Sequence, residues 1–413
     1  MSIYRRFYSM SEETLYDLII IGGGPAGLSA GVYGGRAKLK TLILEKGSLG
    51  GRAFTTREIV NYPGYKETTG PDLTGAMAEH AQSFGVEVKK EEVKSVDFTG
   101  DIKIIKTKKH EYQAKAVILA TGTEARVLGI PGERELAGMG VAYCATCDAE
   151  FTEGQDVVVV GSGDQAIEEG MFIAKFAKSV TVIVLHDEGQ LDCNKQAAER
   201  AFNHPKMNFI WNSVLDSIEG EDEVTGVKIK NTKTGEITDF PCGYVFFFVG
   251  MVPGTKCVNG QMELDGRGWV HTNEMMETDV LGVFAVGDVR AKYLRQVSTA
   301  IGDGAIAATA AERYIEEQAD FKANVVESEK PVLLAFWSPE FGDSLEKVGK
   351  VDAANREAGD KYKFIEVDIT RKKGLAKKYN VTIGADKTAC VIELNKGALV
   401  REIALDQDVR GQL

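Results

Sequence analysis

Cysteine is scarce in this chain, with six in 413 residues, so no dense framework of disulfides holds it together. Cys193, Cys242, Cys257 and Cys390 each stand singly, and without a second close pair a structural zinc site lacks half its ligands. Long apolar runs are also missing. The longest, such as Tyr244 to Val252, are strand-sized, against the roughly 20 residues that a membrane-spanning helix needs. The N-terminus, MSIYRRFYSMSEETLYD, has two arginines but no apolar stretch of the kind that marks a secretory signal. With so few cysteines, a reducing cytoplasm is the expected location. Excess positive charge is absent as well: the net charge is -12, and residues 323–413 hold 15 basic and 15 acidic side chains, so all of the excess negative charge lies in residues 1–322. Such a surface argues against nucleic acid as a main partner. The short basic runs Arg371-Lys372-Lys373 and Lys377-Lys378 read as a solvated helix face.

What is present centres on residues 141–150, VAYCATCDAE, where Cys144 and Cys147 form a Cys-x-x-Cys pair followed at once by Asp148. Two cysteines at this spacing can close a small disulfide ring, and the reduced pair can attack another disulfide when one thiol is held as thiolate. A neighbouring carboxylate can move the proton. The plain alternative is a pair of inert buried thiols.

From Tyr16 the chain runs YDLIIIGGGPAGLSAGVYGGRA, an apolar strand leading into Gly22-x-Gly24-x-x-Gly27 and then a helix of small residues. Glu45 closes the next strand, 23 residues after Gly22. A glycine triplet between strand and helix, with an acid at that distance, is a dinucleotide-binding pattern. The first glycine makes the turn, the second admits the pyrophosphate, and the third lets helix and strand pack. The helix N-terminus attracts phosphate, and Glu45 is placed to bind a ribose hydroxyl. The alternative is a glycine-rich turn with no ligand.

Several motifs in order, GGGPAG, Ala120-Thr121-Gly122, CATCD, VFAVGD and RQVSTAIGDGAIAA, resemble the low-molecular-weight thioredoxin reductases over about residues 15–320. That resemblance implies FAD as cofactor. It adds Pro25 and Ala26 of the first motif, Thr121, Gly122 and Gly287 to the binding residues and gives Asp288 a flavin-side contact. It sets Arg295, Gln296 and Val297 beside the isoalloxazine ring, and it matches Gly50-Gly51 and Asn61-Tyr62-Pro63-Gly64 to further flavin-contacting loops. A helix starting near Gln296 would direct its positive end at charge on the reduced flavin. The resemblance further implies that Cys147 faces the flavin, that Cys144 is the interchange thiol, and that the enzyme is a homodimer.

A second strand–turn–helix, DVVVVGSGDQAIEEG, carries Gly161-x-Gly163-x-x-Ala166. Counting 23 residues from Gly161 lands on Val184, so the acid of an NAD site is missing. Where the family has His-Arg-Arg and a further Arg to grip the NADP phosphate, this chain has Val184-Leu185-His186 and then Gln190. No guanidinium is available for a bidentate phosphate contact, and an imidazole at His186 is a poor substitute. An architectural remnant or altered use of the site is therefore preferred over ordinary NADPH use. Reduced ferredoxin, the donor of a subgroup similar to these enzymes, is the economical alternative.

After a linker near residues 318–328, the pattern becomes strand, helix, strand, helix and a strand pair, which resembles a thioredoxin domain lacking its first strand and helix. Glu340-Phe341-Gly342-Asp343-Ser344 aligns with the family's Trp-Cys-Gly-Pro-Cys loop, so both redox thiols are absent. The last proline is Pro339, so the family's cis-proline is absent too. Without thiols this domain cannot exchange disulfides.

The expected architecture is α/β with two nested Rossmann-like dinucleotide-binding domains. The FAD domain is discontinuous over residues 1–122 and 244–322, the inserted NAD(P)-type domain spans 123–243, and a degenerate thioredoxin-like domain follows over 326–413. The expected activity is transfer of electrons from FAD through Cys144 and Cys147 to a separate thioredoxin-like protein, with no metal and no membrane partner. The alternatives are a redox-responsive flavoprotein that binds a partner and a peroxide-forming flavin oxidase.

Overall fold

The computed structural model describes residues 15–413 apart from 57, 58, 60 and 406–408; the side chains of residues 146, 147 and 373 also lie outside the described part. The stretch read above for a secretory signal falls almost wholly before residue 15 and is outside it too. The chain divides into two compact units between Ala311 and Glu312.

The apolar run at the start forms the strand Leu15–Ile21, which lies centrally in a parallel sheet between Thr41–Glu45 and Glu111–Leu119. Leu18, Ile19 and Ile20 are fully buried, because a parallel strand covered on both faces reads as one continuous apolar run. A late strand, Val283–Ala285, joins Glu111–Leu119 in parallel. A late stretch of this unit is thereby returned to the sheet that holds its first strand. An antiparallel flap of Lys103–Thr107 and Val93–Asp97 extends the same sheet.

Between those strands a second parallel sheet takes the order Met207–Ile210, Ser179–Ile183, Asp156–Val160, Tyr244–Phe247 and Val141–Ala142. Its own core of Val157, Val159, Ile167, Val182 and Phe246 is separate from the core of the first sheet. A three-stranded antiparallel sheet, from Ser213 to Pro241, covers its other face. The chain passes between the two parallel sheets through Thr123–Ala125 and Met251–Pro253, which pair with each other as a two-stranded ribbon.

In the second unit a four-stranded sheet has the order Lys363–Asp368, Val332–Trp337, Ala389–Asn395, Ala398–Ile403. The first two strands are parallel, with the helix Ser344–Glu357 between them in sequence, and the last two form an antiparallel pair. Ser344 is fully buried at the start of that helix, where its hydroxyl donates to the Thr388 carbonyl at 2.5 Å and accepts from the Ser338 amide at 3.0 Å. Among the described residues, no helix is long and apolar enough to cross a membrane.

Candidate active site

The first glycine turn is shaped by contacts that only glycine allows. Gly22 has φ +110°, and a Cβ there would lie 2.3 Å from the Ala120 carbonyl oxygen; at Gly27 it would lie 2.0 Å from that of Gly22. Gly24 differs: its backbone is extended and a Cβ would meet nothing within 4 Å. Open space therefore faces the N-terminus of the helix Pro25–Arg36, which has proline in its first turn and no side-chain cap. Uncapped amides at such an end are an anion site. Glu45 braces the turn by accepting from the Gly23 amide at 2.6 Å and from Gly47 at 2.7 Å. Gly50, at φ +100°, donates its amide to the Gly23 carbonyl, and Gly51 comes close to Gly24. Gly122 has φ +61° with open space beside it.

The other wall comes from late in the unit. Gly287, at φ +70°, packs against buried Ala26, and Gly304 of the helix Val297–Phe321 approaches the Ala26 carbonyl so closely that a Cβ would sit 2.2 Å from it. Asn61 donates to the Gln296 side-chain oxygen at 3.2 Å, which ties two of the predicted flavin loops together. The Arg295 guanidinium lies 3.8 Å over the Trp269 ring and donates to the carbonyls of Asp288 and Arg290. Its head thus shapes the 288–290 loop. Burial raises the Asp288 carboxyl, against the opposing charges of Lys292, Arg52 and Arg295. None of the hydrogen bonds among the described residues ends on that carboxylate. An open glycine cradle beside an acid still lacking a hydrogen-bond donor fits a ligand with both phosphates and hydroxyls, as FAD has.

Cys144 is half-buried and disulfide-bonded, and it stands immediately before the short helix Ala145–Asp148, with no side-chain capping bond. The side chain of Cys147 lies outside the described residues. The Asp148 amide donates to the Cys144 carbonyl at 3.3 Å, so the acid stands one turn beyond the sulfur. Immediately before Cys144, the Tyr143 ring stacks on Phe247 and its hydroxyl donates to Glu133 at 2.9 Å. Glu133 is fully buried and also accepts from the amides of Leu128, Gly129 and Ile130. That carboxylate pins the segment entering the second sheet to the residue preceding the sulfur. Asp148 acts electrostatically on Tyr244, whose hydroxyl is raised first by burial. Arg52, at the cradle, is lowered by burial and senses both Asp288 and Glu169 of the helix Asp164–Ile173.

Two other thiols are chemically quiet. Burial pushes Cys242 up to about 12 and Cys390 up to about 11, far from the thiolate that exchange requires.

The second glycine turn repeats the backbone of the first. Gly161 has φ +122° with the Phe248 carbonyl 2.4 Å from its would-be Cβ, Gly163 is extended with open space, and Ala166 is fully buried. The surrounding chemistry is different. Asp192 accepts from the Ser162 hydroxyl at 2.7 Å and pairs with His186 Nε2 at 2.9 Å, contacts that hold its carboxyl below the usual range. Asp164, in the first turn of the helix, accepts from both the amide and the side chain of Asn194 at 2.7 Å. Two carboxylates thus stand at a helix start where a nucleotide would need positive charge.

Residues 16–304 match the model of the pyridine nucleotide-disulphide oxidoreductase family. The chain belongs to that family. A thioredoxin reductase of Peptoclostridium litorale is 49% identical over 312 residues, 74% of this chain and 98% of that protein. The thioredoxin reductase of Bacillus subtilis is 44% identical over 309 residues, 75% and 97% of the two chains. Among solved structures, Lactococcus lactis thioredoxin reductase in its FR conformation is similar with a TM-score of 0.67 at 43% identity, covering 73% of this chain and 99% of that one. T. acidophilum thioredoxin reductase is similar too, with a TM-score of 0.64 at 33% identity, covering 73% of this chain and 98% of that one. The chain is an FAD-dependent disulfide oxidoreductase of this family.

The structure brings Gly22, Gly24, Pro25, Ala26, Gly27, Glu45, Gly50 and Gly51 to one turn, with Gly287 and Asp288 on the opposing wall. Thr121 and Gly122 follow the strand Glu111–Leu119 beside that turn, where a Cβ on Gly22 would touch Thr121. Val297 starts the long helix. Sequence reasoning missed Asp192, Glu133 and the Asp303 cluster taken up below. Asp192 lies 30 residues from its partner Ser162, and the one available signal was the set of acids following the family's arginine positions.

Proposed function

We propose that this chain is a thioredoxin-reductase-type flavoprotein that reduces the disulfide of a separate thioredoxin-like protein through Cys144 and Cys147. The observation that carries the reading is a disulfide-bonded cysteine at the start of a helical turn that ends in an acid, within a chain built around an open dinucleotide cradle. Bound FAD would supply the electron pair. Gly22 to Gly27 would hold its pyrophosphate, Glu45 a ribose hydroxyl and Asp288 a flavin-side hydroxyl.

Two electrons entering the disulfide break the sulfur–sulfur bond, and one proton, delivered by Asp148, leaves one thiol and one thiolate. The Cys144 thiolate then attacks the partner's disulfide, forming a mixed disulfide and expelling one partner thiolate. Asp148 removes the proton from Cys147, whose thiolate attacks Cys144, restores the internal bond and releases the second partner sulfur. Glu133 and Tyr143 keep Cys144 fixed during this exchange. Access to both cradle and partner requires the second sheet to turn against the first, and the ribbon of Thr123–Ala125 and Met251–Pro253 is the natural hinge.

The donor we propose is not NADPH. The absent arginines, together with Asp192 and Asp164 at the second turn, support a different donor, with reduced ferredoxin the first to test. We read 1–122 with 244–322 as the FAD domain, 123–243 as the inserted domain and 326–413 as a thioredoxin-like domain. The strand order and directions of the second unit support the last of these, and its buried, hydrogen-bonded Ser344 supports a domain without redox activity. A homodimer in the cytoplasm completes the proposal. Serine at position 144 should leave flavin binding intact and abolish turnover of a thioredoxin disulfide; undiminished turnover would refute the assignment.

A further inference from the structure

Behind the flavin wall lies a group of charged side chains that the exchange chemistry does not use. Asp303, two turns into the helix Val297–Phe321, is 8% exposed. Its Oδ2 accepts from the Gly287 amide at 3.0 Å and from Lys292 Nζ at 2.7 Å, and its Oδ1 from Arg290 Nη1 at 2.7 Å. The Lys292 and Arg290 side chains are 10% and 14% exposed, and the Nε of Arg290 is buried without a hydrogen-bond partner. Two largely buried cations thus share a single carboxylate. Asp288 follows Gly287 directly, and among the charges that act against the burial of its carboxyl Lys292 leads.

A brace for the loop would need only Arg290 and the Gly287 amide on Asp303. Lys292 adds a charge whose further target is Asp288. We propose that Lys292 and Asp303 are positioning residues for the flavin: Asp303 fixes the Gly287–Asp288 turn from the helix behind it, and Lys292, held by Asp303, keeps Asp288 an anionic acceptor toward a hydroxyl of the cofactor. The other groups facing Asp288 are Arg52 and Arg295, which favour the anion, and Asp303, which opposes it.

This inference rests on the flavin reading. The test is titration of the full-length apoprotein with FAD, followed by visible absorbance and flavin fluorescence between pH 5.5 and 8. Lys292→Met removes the leading cation, so Asp288 binds its proton up to a higher pH. FAD affinity should fall at least about tenfold at the acid end, the scale of one charge-assisted hydrogen bond, and by less at pH 8. Lys292→Arg should recover most of the loss. Asp288→Asn should weaken binding at every pH, and Lys292→Met added to it should change nothing more. Should Lys292→Met fail to fold, Asp303→Asn, which preserves size and releases Lys292, is expected to give the same acid-weighted loss. Wild-type affinity in Lys292→Met, a pH-independent loss that arginine does not rescue, or simple additivity with Asp288→Asn would each overturn the inference; for Asp303→Asn, so would wild-type affinity or a pH-independent loss. A wild-type protein that takes up no FAD would instead sink the flavin reading itself.

Discussion

The two glycine turns of the first unit are nearly superposable in their backbone logic and opposite in their chemistry. Gly22 and Gly161 both take positive φ against a carbonyl oxygen, and Gly24 and Gly163 are both extended beside open space. At the first turn the nearby acid, Glu45, is occupied by two backbone amides and sits at the end of the next strand, where a ribose would lie. At the second, Val184 holds that place fully buried, while Asp192 takes the Ser162 hydroxyl and His186. The comparison teaches that the glycines specify a turn and the side chains around it specify a ligand.

The largest expected effects are common to both turns. Gly22→Ala and Gly161→Ala each drive a methyl into a carbonyl at positive φ, and either should destabilise the protein by about 3 kcal/mol or more, read from thermal or urea unfolding. The pair Gly24→Ala and Gly163→Ala separates the turns. Neither methyl meets protein, so apoprotein stability should hold in both. Gly24→Ala should weaken FAD binding by roughly a hundredfold by pushing the pyrophosphate off the helix amides, whereas Gly163→Ala should leave FAD binding and disulfide turnover within about twofold. Equal losses in both would break the comparison.

Asp192→Ala should then raise affinity for a pyridine dinucleotide by about tenfold, the scale of one like-charge contact removed, as followed by quenching of protein fluorescence. The smallest effect concerns the apoprotein's stability. Burial raises the folded-state carboxyl of Asp288 above its unfolded value. The stability tied to it is therefore fully present below the unfolded value of about 3.9 and is lost as pH rises through the folded one. Asp288→Asn should raise the melting temperature of the apoprotein by a few degrees at most near pH 7 and leave it unchanged near pH 3, while FAD binding falls.

Much of this arrangement was legible in the residues. The run from Tyr16 to Ile21 is apolar without alternation, which only a strand buried on both faces tolerates, and glycines bound its end. In the last 90 residues the alternation of strand and helix patterns is equally local, and the elements follow in the order expected. What escaped was chemistry made by distant pairs. Ser162 meets Asp192, Lys292 meets Asp303, and Tyr143 meets Glu133 across loops whose course no local periodicity reports. Arg295 carries a related lesson: the family resemblance sets it beside a flavin ring as an expectation, and the contacts of its guanidinium, which no motif reports, are with Trp269 and two carbonyls.

The central claim is that electrons reach the Cys144 disulfide from a flavin held at the first turn, with the second turn taking no part in delivery. It is tested most directly by anaerobic stopped-flow absorbance of the holoprotein mixed with NADPH or with reduced ferredoxin, in the presence of oxidised thioredoxin. The account predicts flavin bleaching and thioredoxin reduction with ferredoxin and neither with NADPH. Rapid bleaching by NADPH with thioredoxin reduced at the same pace would contradict it.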